Sequence, residues 1–305
     1  MTTPLSERVH AARAPSPRER DLLLRLAPFR ALSTAQLEEW VFTGCPVRPH
    51  SRKVLTQRIL ERLRKRGLVA SSAHLVGGAG GGSARLVYHL TEAGQRLIGT
   101  LDPALRDRPL PPRGHLFIEH ALMTAEVALA FDRIARSRPG HDLAEWEPEW
   151  QAAERLSSGV VPDGRVVYAT EKWELSAFVE ADLGTERPSR YAEKIASYLD
   201  AYRAGRWREH LPAWPLVLTV TTAAARATAL RRVTEDVCER ERDRARLADT
   251  VEFDFAPLSD LQGSAGPLGR IWQIAGRVGL HALVPDAPHE SASSSNWTTE
   301  GLEAG

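Results

Sequence analysis

The chain has 305 residues, 43% of them hydrophobic and 26% charged, which is enough length and apolar content for two domains of ordinary size. No apolar run approaches the roughly 18 residues that a membrane-spanning helix needs, and the stretch from Met1 to Arg8 lacks the apolar core of a signal peptide, so a cytoplasmic, soluble protein with no membrane partner is expected. The net charge of +1 conceals a division, because residues 1–114 carry 19 Lys and Arg against 9 Asp and Glu while the remainder carries 21 against 30.

That asymmetry predicts a basic module for a polyanion followed by an acidic module with another task. Cys45 and Cys238 are the only cysteines, too few for a zinc site, and no disulfide framework is expected.

From Pro15 to Phe29, the residues Leu22, Leu23, Leu24, Leu26 and Phe29 mark a helix with one buried face, entered through Ser16-Pro17 in the cap and first-turn positions. Ser33-Thr34 opens a second helix with Leu37, Trp40, Val41 and Phe42 as its apolar positions. Gly44-Cys45-Pro46 breaks it. A third helix is predicted from Ser51 to Arg66, with Val54, Leu55, Ile59, Leu60 and Leu63 on the core side and Gly67 as its stop. Leu68 to Val76 and Ala84 to Leu90 then read as a β-hairpin around a glycine-rich tip, Gly77 to Gly82. No Lys-Ser or Lys-Thr pair and no helix follow the tip, so it is a wing and not a phosphate loop. Thr91-Glu92-Ala93-Gly94 begins a short closing helix.

Three helices, a hairpin and a closing helix predict a winged helix-turn-helix over residues 1–98, whose third helix enters the major groove of double-stranded DNA. Arg48, Arg52, Lys53, Arg58, Arg62, Arg64, Lys65 and Arg66 lie in or beside that helix against one acid, Glu61. Arginine presents a planar fork to phosphate or to a guanine edge. Arg48, Arg52, Lys53, Arg58 and Arg62, with Arg85 on the wing, are the candidate DNA contacts. The proline-rich residues 99–114 read as a linker.

The remainder predicts an α/β domain over residues 115–285, a mixed sheet flanked by helices. Its expected elements are a helix from Gly114 to Ser137, a Trp-rich strand from Glu145 to Trp150, and a hairpin from Gly164 to Asp182. A helix from Ser189 to Arg203, a strand from Pro215 to Thr221, a charged helix from Ala224 to Ala248 and a strand from Val251 to Phe255 follow. A serine-rich tail, 286–305, is expected to be disordered.

The hairpin carries the chemistry. Glu180 and Asp182 alternate on one strand, so both side chains point to the same face, and Asp163, at the start of the preceding strand, can reach the same point. Three hard oxygen ligands suit Mg²⁺ or Mn²⁺. Glu149 is a further acid within reach, and Glu186 is placed to hold the start of the next helix. Of Tyr191, Tyr198 and Tyr202 on that helix, Tyr198 and Tyr202 have the i, i+4 spacing of residues that pack on the sheet, the alternative being a tyrosine nucleophile toward DNA.

The order of winged helix, proline linker, Pro162-Asp163-Gly164, then Glu180-Ala181-Asp182-Leu183-Gly184-Thr185-Glu186 and a helix with Lys194 and Tyr198 resembles the replication-relaxation family. That family is similar to restriction-endonuclease-like nucleases and to one relaxase class of mobilisable plasmids. The resemblance implies a metal-dependent DNA nickase acting at a plasmid or element origin, with Asp163, Glu180 and Asp182 as metal ligands. Its further partners would be replication or transfer proteins, or a second copy in a homodimer. One departure stands out: the restriction-type signature places a lysine two residues after the glutamate, where this chain has Asp182. Lys194 is the stronger substitute for the missing cation and Lys172 the weaker. The alternative is a non-cleaving replication or transcription factor that binds DNA on a nuclease-like scaffold.

Overall fold

The computed structural model describes residues 14–42, 47–75, 84–105, 114–157, 159–242 and 251–284. The expected break at Gly44-Cys45-Pro46, the glycine tip of the hairpin, the end of the charged helix after Arg242 and the serine-rich tail lie outside the described residues. Contacts divide the chain into two compact units, 1–126 and 127–305. α4 and a short 3-10 turn cover the proposed linker as far as Leu105, and residues 106–113 lie outside the described residues.

In the first unit, α1 (Pro17–Phe29), β1 (Leu32–Ser33), α2 (Thr34–Phe42) and α3 (Pro49–Lys65) precede a hairpin of β2 (Val69–Leu75) and β3 (Ala84–Leu90), followed by α4 (Glu92–Leu101). The strands form an antiparallel sheet in the order β1-β3-β2. Both early helices start with reciprocal caps: Ser16 with Glu19, and Ser33 with Gln36 at 3.0 and 3.3 Å, each satisfying otherwise unpaired N–H groups. Glu19 has a second task. It is buried, and it accepts from Arg62 at 3.1 Å and Arg66 at 3.3 Å, tying α1 to the end of α3.

Leu22, Leu23, Leu26, Leu37, Phe42, Ile59, Leu60 and Leu63 form the buried interior of this unit. Val54 and Leu55, expected there, are only half-buried, because the inward stripe of α3 runs through Thr56, Ile59, Leu60 and Leu63. Thr56 is accommodated by a bond from its hydroxyl to the Arg52 carbonyl at 3.0 Å. α4 approaches the corner between α3 and β2 so closely that a Cβ on Gly94 would fall 2.0 Å from the Leu68 carbonyl oxygen.

The division between units falls inside α5 (His115–Ser137). The second unit continues with β4 (His141–Pro148), α6 (Glu149–Leu156), β5 (Gly164–Thr170), β6 (Glu174–Asp182), α7 (Pro188–Ala204), β7 (Leu216–Thr221), α8 (Ala224–Arg242), β8 (Phe253–Pro257), α9 (Leu258–Leu261) and β9 (Gln273–Ile274). The strand expected through Trp150 stops at Pro148, which has no N–H for the ladder and instead caps α6. Glu149 and Trp150 are therefore helical.

The six strands are ordered β4-β5-β6-β7-β8-β9, antiparallel from β4 to β6, parallel from β6 to β8, and antiparallel again at β9. The parallel steps require crossovers, which α7 and α8 supply. Phe178, Val217, Phe253 and Phe255 on one sheet face pack with Tyr191, Ile195, Tyr198 and Leu199 of α7 and with Ala227 and Leu230 of α8. On the other face Tyr168 meets Phe131 of α5 at 6.1 Å between ring centres.

Asp254, on that second face of β8, is 1% exposed, and neither carboxyl oxygen has a hydrogen-bond partner among the described residues. Burial, reinforced by the charge of Glu252 and only partly opposed by Arg277, pushes its pKa well above the usual carboxylate range. The folded state therefore prefers the neutral acid. A group with a raised folded pKa contributes stability that is fully present below its unfolded pKa and is lost as pH rises. Urea midpoints of the wild type should accordingly fall between pH 4 and pH 7 relative to those of Asp254→Asn. Parallel pH profiles for the two proteins would show that Asp254 ionises without cost.

Candidate functional site

Asp163, Glu180 and Asp182 come from the antiparallel hairpin of β5 and β6. Gly164 must be glycine for the strand to enter there, since an added Cβ would lie 2.7 Å from the Trp146 ring and 3.1 Å from the Glu147 carbonyl. Asp163, just before it, donates its backbone N–H to Val179 at 3.0 Å, and its Oδ2 accepts from the Ala181 N–H at 2.7 Å. Asp163 thus replaces the ladder with its own side chain opposite Glu180.

Glu180 is 2% exposed in the middle of the sheet. α7 supplies its partners from one stripe: Lys194 Nζ donates to Oε2 at 2.8 Å and the Tyr198 hydroxyl to Oε1 at 2.5 Å. Tyr191, on the same stripe, bonds the Thr219 hydroxyl of β7 at 2.8 Å. Residues three and seven apart on a helix share a face, which is what lets Tyr191, Lys194 and Tyr198 all reach the sheet.

Burial, with the nearby charge of Asp163, raises the pKa of Glu180 to about 7, although Lys194 and Tyr198 oppose the shift. Burial works against the Lys194 ammonium, but the charges of Glu180 and Asp163 outweigh it and its pKa stands above the usual value. Burial and the Glu180 charge also keep the Tyr198 phenol protonated, so it serves as a hydrogen-bond donor. Tyr198 and Tyr191 are 0% and 1% exposed. Tyr198 lies in the core beneath α7 and Tyr202 packs against it, as their spacing suggested.

Asp182 points to the same sheet face as Glu180 but does not join it. Arg226, in the first turn of α8, takes both its oxygens, Nε to Oδ2 at 2.7 Å and Nη2 to Oδ1 at 3.0 Å, and also bonds the Glu186 carbonyl at 2.7 Å. Glu186 stands 3.6 Å from Lys194 and from Arg190. Lys172 is exposed in the turn at the other end of β6, and Glu149 sits in the first turn of α6.

The expected trio was Asp163, Glu180 and Asp182 with Lys194 as the nearby cation; the structure sets Lys194 on Glu180 and Asp182 on Arg226, and the sequence reading missed Tyr198 and Arg226 as partners. Among the described residues no group of three His, Cys, Asp or Glu side chains is placed to hold a metal ion. Asp163 and Glu180 are oxygen donors suited to a hard cation, with Lys194 beside them. Both oxygens of Glu180 are engaged by Lys194 and Tyr198, and both of Asp182 by Arg226.

The basic residues of the first unit divide by exposure. Arg48, Lys53 and Arg58 are exposed on α3 or at its start, while Arg52 is half-buried and its Nε donates to the Val47 carbonyl at 2.7 Å. Arg62 is 57% exposed but shared with Glu19. Arg64 and Lys65 both face Glu61, at 3.0 and 3.8 Å. The Arg85 side chain lies outside the described residues.

The sequence matches the replication-relaxation family over residues 23–217. That is well over half of the chain, and the chain belongs to this family. No curated protein and no solved structure matches it. Membership points to a role in replication or mobilisation, and no helix among the described residues is long and apolar enough to cross a membrane.

Tyr198→Phe removes a bond to a buried carboxylate while preserving the ring packing. Hydrogen bonds to charged groups contribute about 1.5–3 kcal/mol, so a loss of that size is expected in urea denaturation. An unchanged midpoint would mean that Lys194 alone satisfies Glu180.

Proposed function

We propose that the protein binds double-stranded DNA of a plasmid or integrative element and acts there in its replication or mobilisation. On this reading the first unit is a winged helix and the second a restriction-endonuclease-like domain. The observation that carries it is the outward half of α3, where Lys53, Arg58, Arg62, Arg64 and Lys65 accompany a single acid, Glu61. A helix so charged suits the major groove and its flanking phosphates. Arg52 has a different part, because its guanidinium holds the Val47 carbonyl at the start of the helix.

A second reading, metal-dependent nicking, is favoured by the meeting of Asp163, Glu180 and Lys194. Asp163 and Glu180 would hold Mg²⁺ or Mn²⁺, which when bound supplies an activated water and a charge for the leaving oxygen. Tyr198 would restrain the Glu180 carboxylate in that role through its hydrogen bond to Oε1. Lys194, an ammonium already at the site, stabilises negative charge developing on the phosphate. A homodimer or replication and transfer proteins are further partners of this reading. The non-cleaving factor uses the same scaffold with Lys194 and Arg226 as permanent counter-ions.

Two measurements test the proposal. The pair Lys53→Ala and Arg58→Ala should weaken duplex binding and reduce the salt slope by about 1.8, at roughly 0.9 per phosphate contact. An unchanged slope would place the DNA surface elsewhere. With supercoiled plasmid and Mn²⁺, nicking should be lost in Asp163→Asn and Glu180→Gln, each of which removes a carboxylate oxygen from the site. A plasmid left intact by the wild type, its own origin included, decides for the non-cleaving factor.

A further inference from the structure

Leu55, expected in the core, lines a groove instead. Leu55, Arg58, Ile59 and Arg62 follow one another at helical spacings of three and four, so they form one stripe on the flank of α3. The start of α1, Ser16 to Arg18, stands across from that stripe and bounds with it a groove of about 490 Å³. The apolar part is Leu55 and Ile59, and the rest is cationic. Arg18 and Arg58 are exposed, and Arg62 keeps 57% of its side chain exposed. Among the described residues no acid lines the groove. Glu19, which holds Arg62, is buried and already shared with Arg66. Arg58 makes no ion pair among the described residues, and the Arg18 guanidinium lies over the Phe42 ring, 5.3 Å from its centre.

We propose that this groove holds the sugar-phosphate backbone of the duplex alongside α3, with Arg18 and Arg58 as phosphate ligands and Leu55 against the deoxyribose. The inference rests on the DNA-binding reading and deepens it. A helix seated in the major groove has a backbone strand along each flank, and on the flank toward α1 that strand meets Leu55 and the three arginines. Size does not choose the occupant, because a groove of this volume admits a nucleotide unit or a few protein side chains alike. Charge does. Three guanidinium groups on one groove repel one another, and a polyanion relieves that repulsion while it releases counter-ions. Each planar fork matches a phosphate through two parallel bonds. The deoxyribose offers C–H surface to Leu55, so one backbone unit satisfies both the cationic and the apolar part of the groove. Contacts of this kind set the register of the protein on the duplex without reading its sequence. Arg18 thereby joins the interface from α1, a helix whose periodicity speaks only of packing.

The test is binding of the full chain to a mixed-sequence duplex, followed by fluorescence anisotropy over a range of salt concentrations. Arg18→Ala should reduce the slope of log affinity against log salt by about 0.9, the value for one phosphate contact, and Arg18→Lys should retain it. Arg18→Gln keeps an aliphatic stem over Phe42 and should lose the same slope, so a folding defect in Arg18→Ala leaves the test intact. The weakening should be equal on the mixed-sequence duplex and on one from the element's own origin, since phosphates are common to both. An unchanged slope in Arg18→Ala and Arg18→Gln, with the wild type binding duplex, overturns the backbone groove alone and leaves it to an acidic protein segment. Weakening confined to the origin duplex overturns it too, by making Arg18 a base contact. A wild type that binds neither duplex at low salt removes the DNA-binding reading and the groove with it.

Discussion

A carboxylate buried in the third of six strands sets the terms for the second unit. Glu180 is almost without exposure, and an uncompensated charge there would cost far more than the margin by which a domain is stable. Its compensation comes from one helix. Lys194 and Tyr198 must face β6, and Tyr191 must face Thr219 of β7. That fixes the rotation of α7 about its axis. The apolar part of the layer, Ile195 and Leu199 with Phe178, Val217 and Phe253, is indifferent to small rotations, because hydrophobic burial has no direction. The polar pairs provide the direction.

The same division of labour repeats one strand further on. Asp182 closes β6, and Arg226 opens α8 to meet it, so each crossover helix is tied to the sheet by a cation at its sheet-facing side. These ties lie toward the carboxyl ends of the parallel strands β6 and β7. In open α/β sheets that edge is where loops diverge and ligands are held. Glu186, touching Lys194 and Arg190 with its side chain and Arg226 with its carbonyl, joins the two ties into one charged chain.

How much of this was legible in the sequence follows from the range of the interactions. Period-two alternation placed Glu180 and Asp182 on one face, and Pro162-Asp163-Gly164 marked the strand entry, since both signals are local. Lys194 was within reach of inference because one helix separates it from the acid. Arg226 was not. It belongs to a run of mixed charges that reads as a solvated surface, and only the parallel pairing of β6 with β7 brings it to Asp182, forty-four residues earlier. On α3, periodicity gave the helix, but it gave Val54 and Leu55 to the core where the inward stripe instead takes Thr56. A hydroxyl that returns its proton to the preceding turn is as easily buried as a methyl group, and no hydrophobicity pattern registers it.

The two cations, Lys194 and Arg226, differ in kind. Only four of the 40 basic residues are lysine, yet one of them stands at Glu180. An ammonium is a compact charge on a flexible stem, and here it has both Glu180 and Glu186 in its range, at 2.8 and 3.6 Å. Arginine at Asp182 is the opposite kind of partner. Its planar fork spends two donors on one carboxylate and another bond on a carbonyl, and it gains nothing from a partial release. The two neighbouring acids of β6 are thus held by cations of different kinds, one with two acids in its range and one fixed on a single carboxylate.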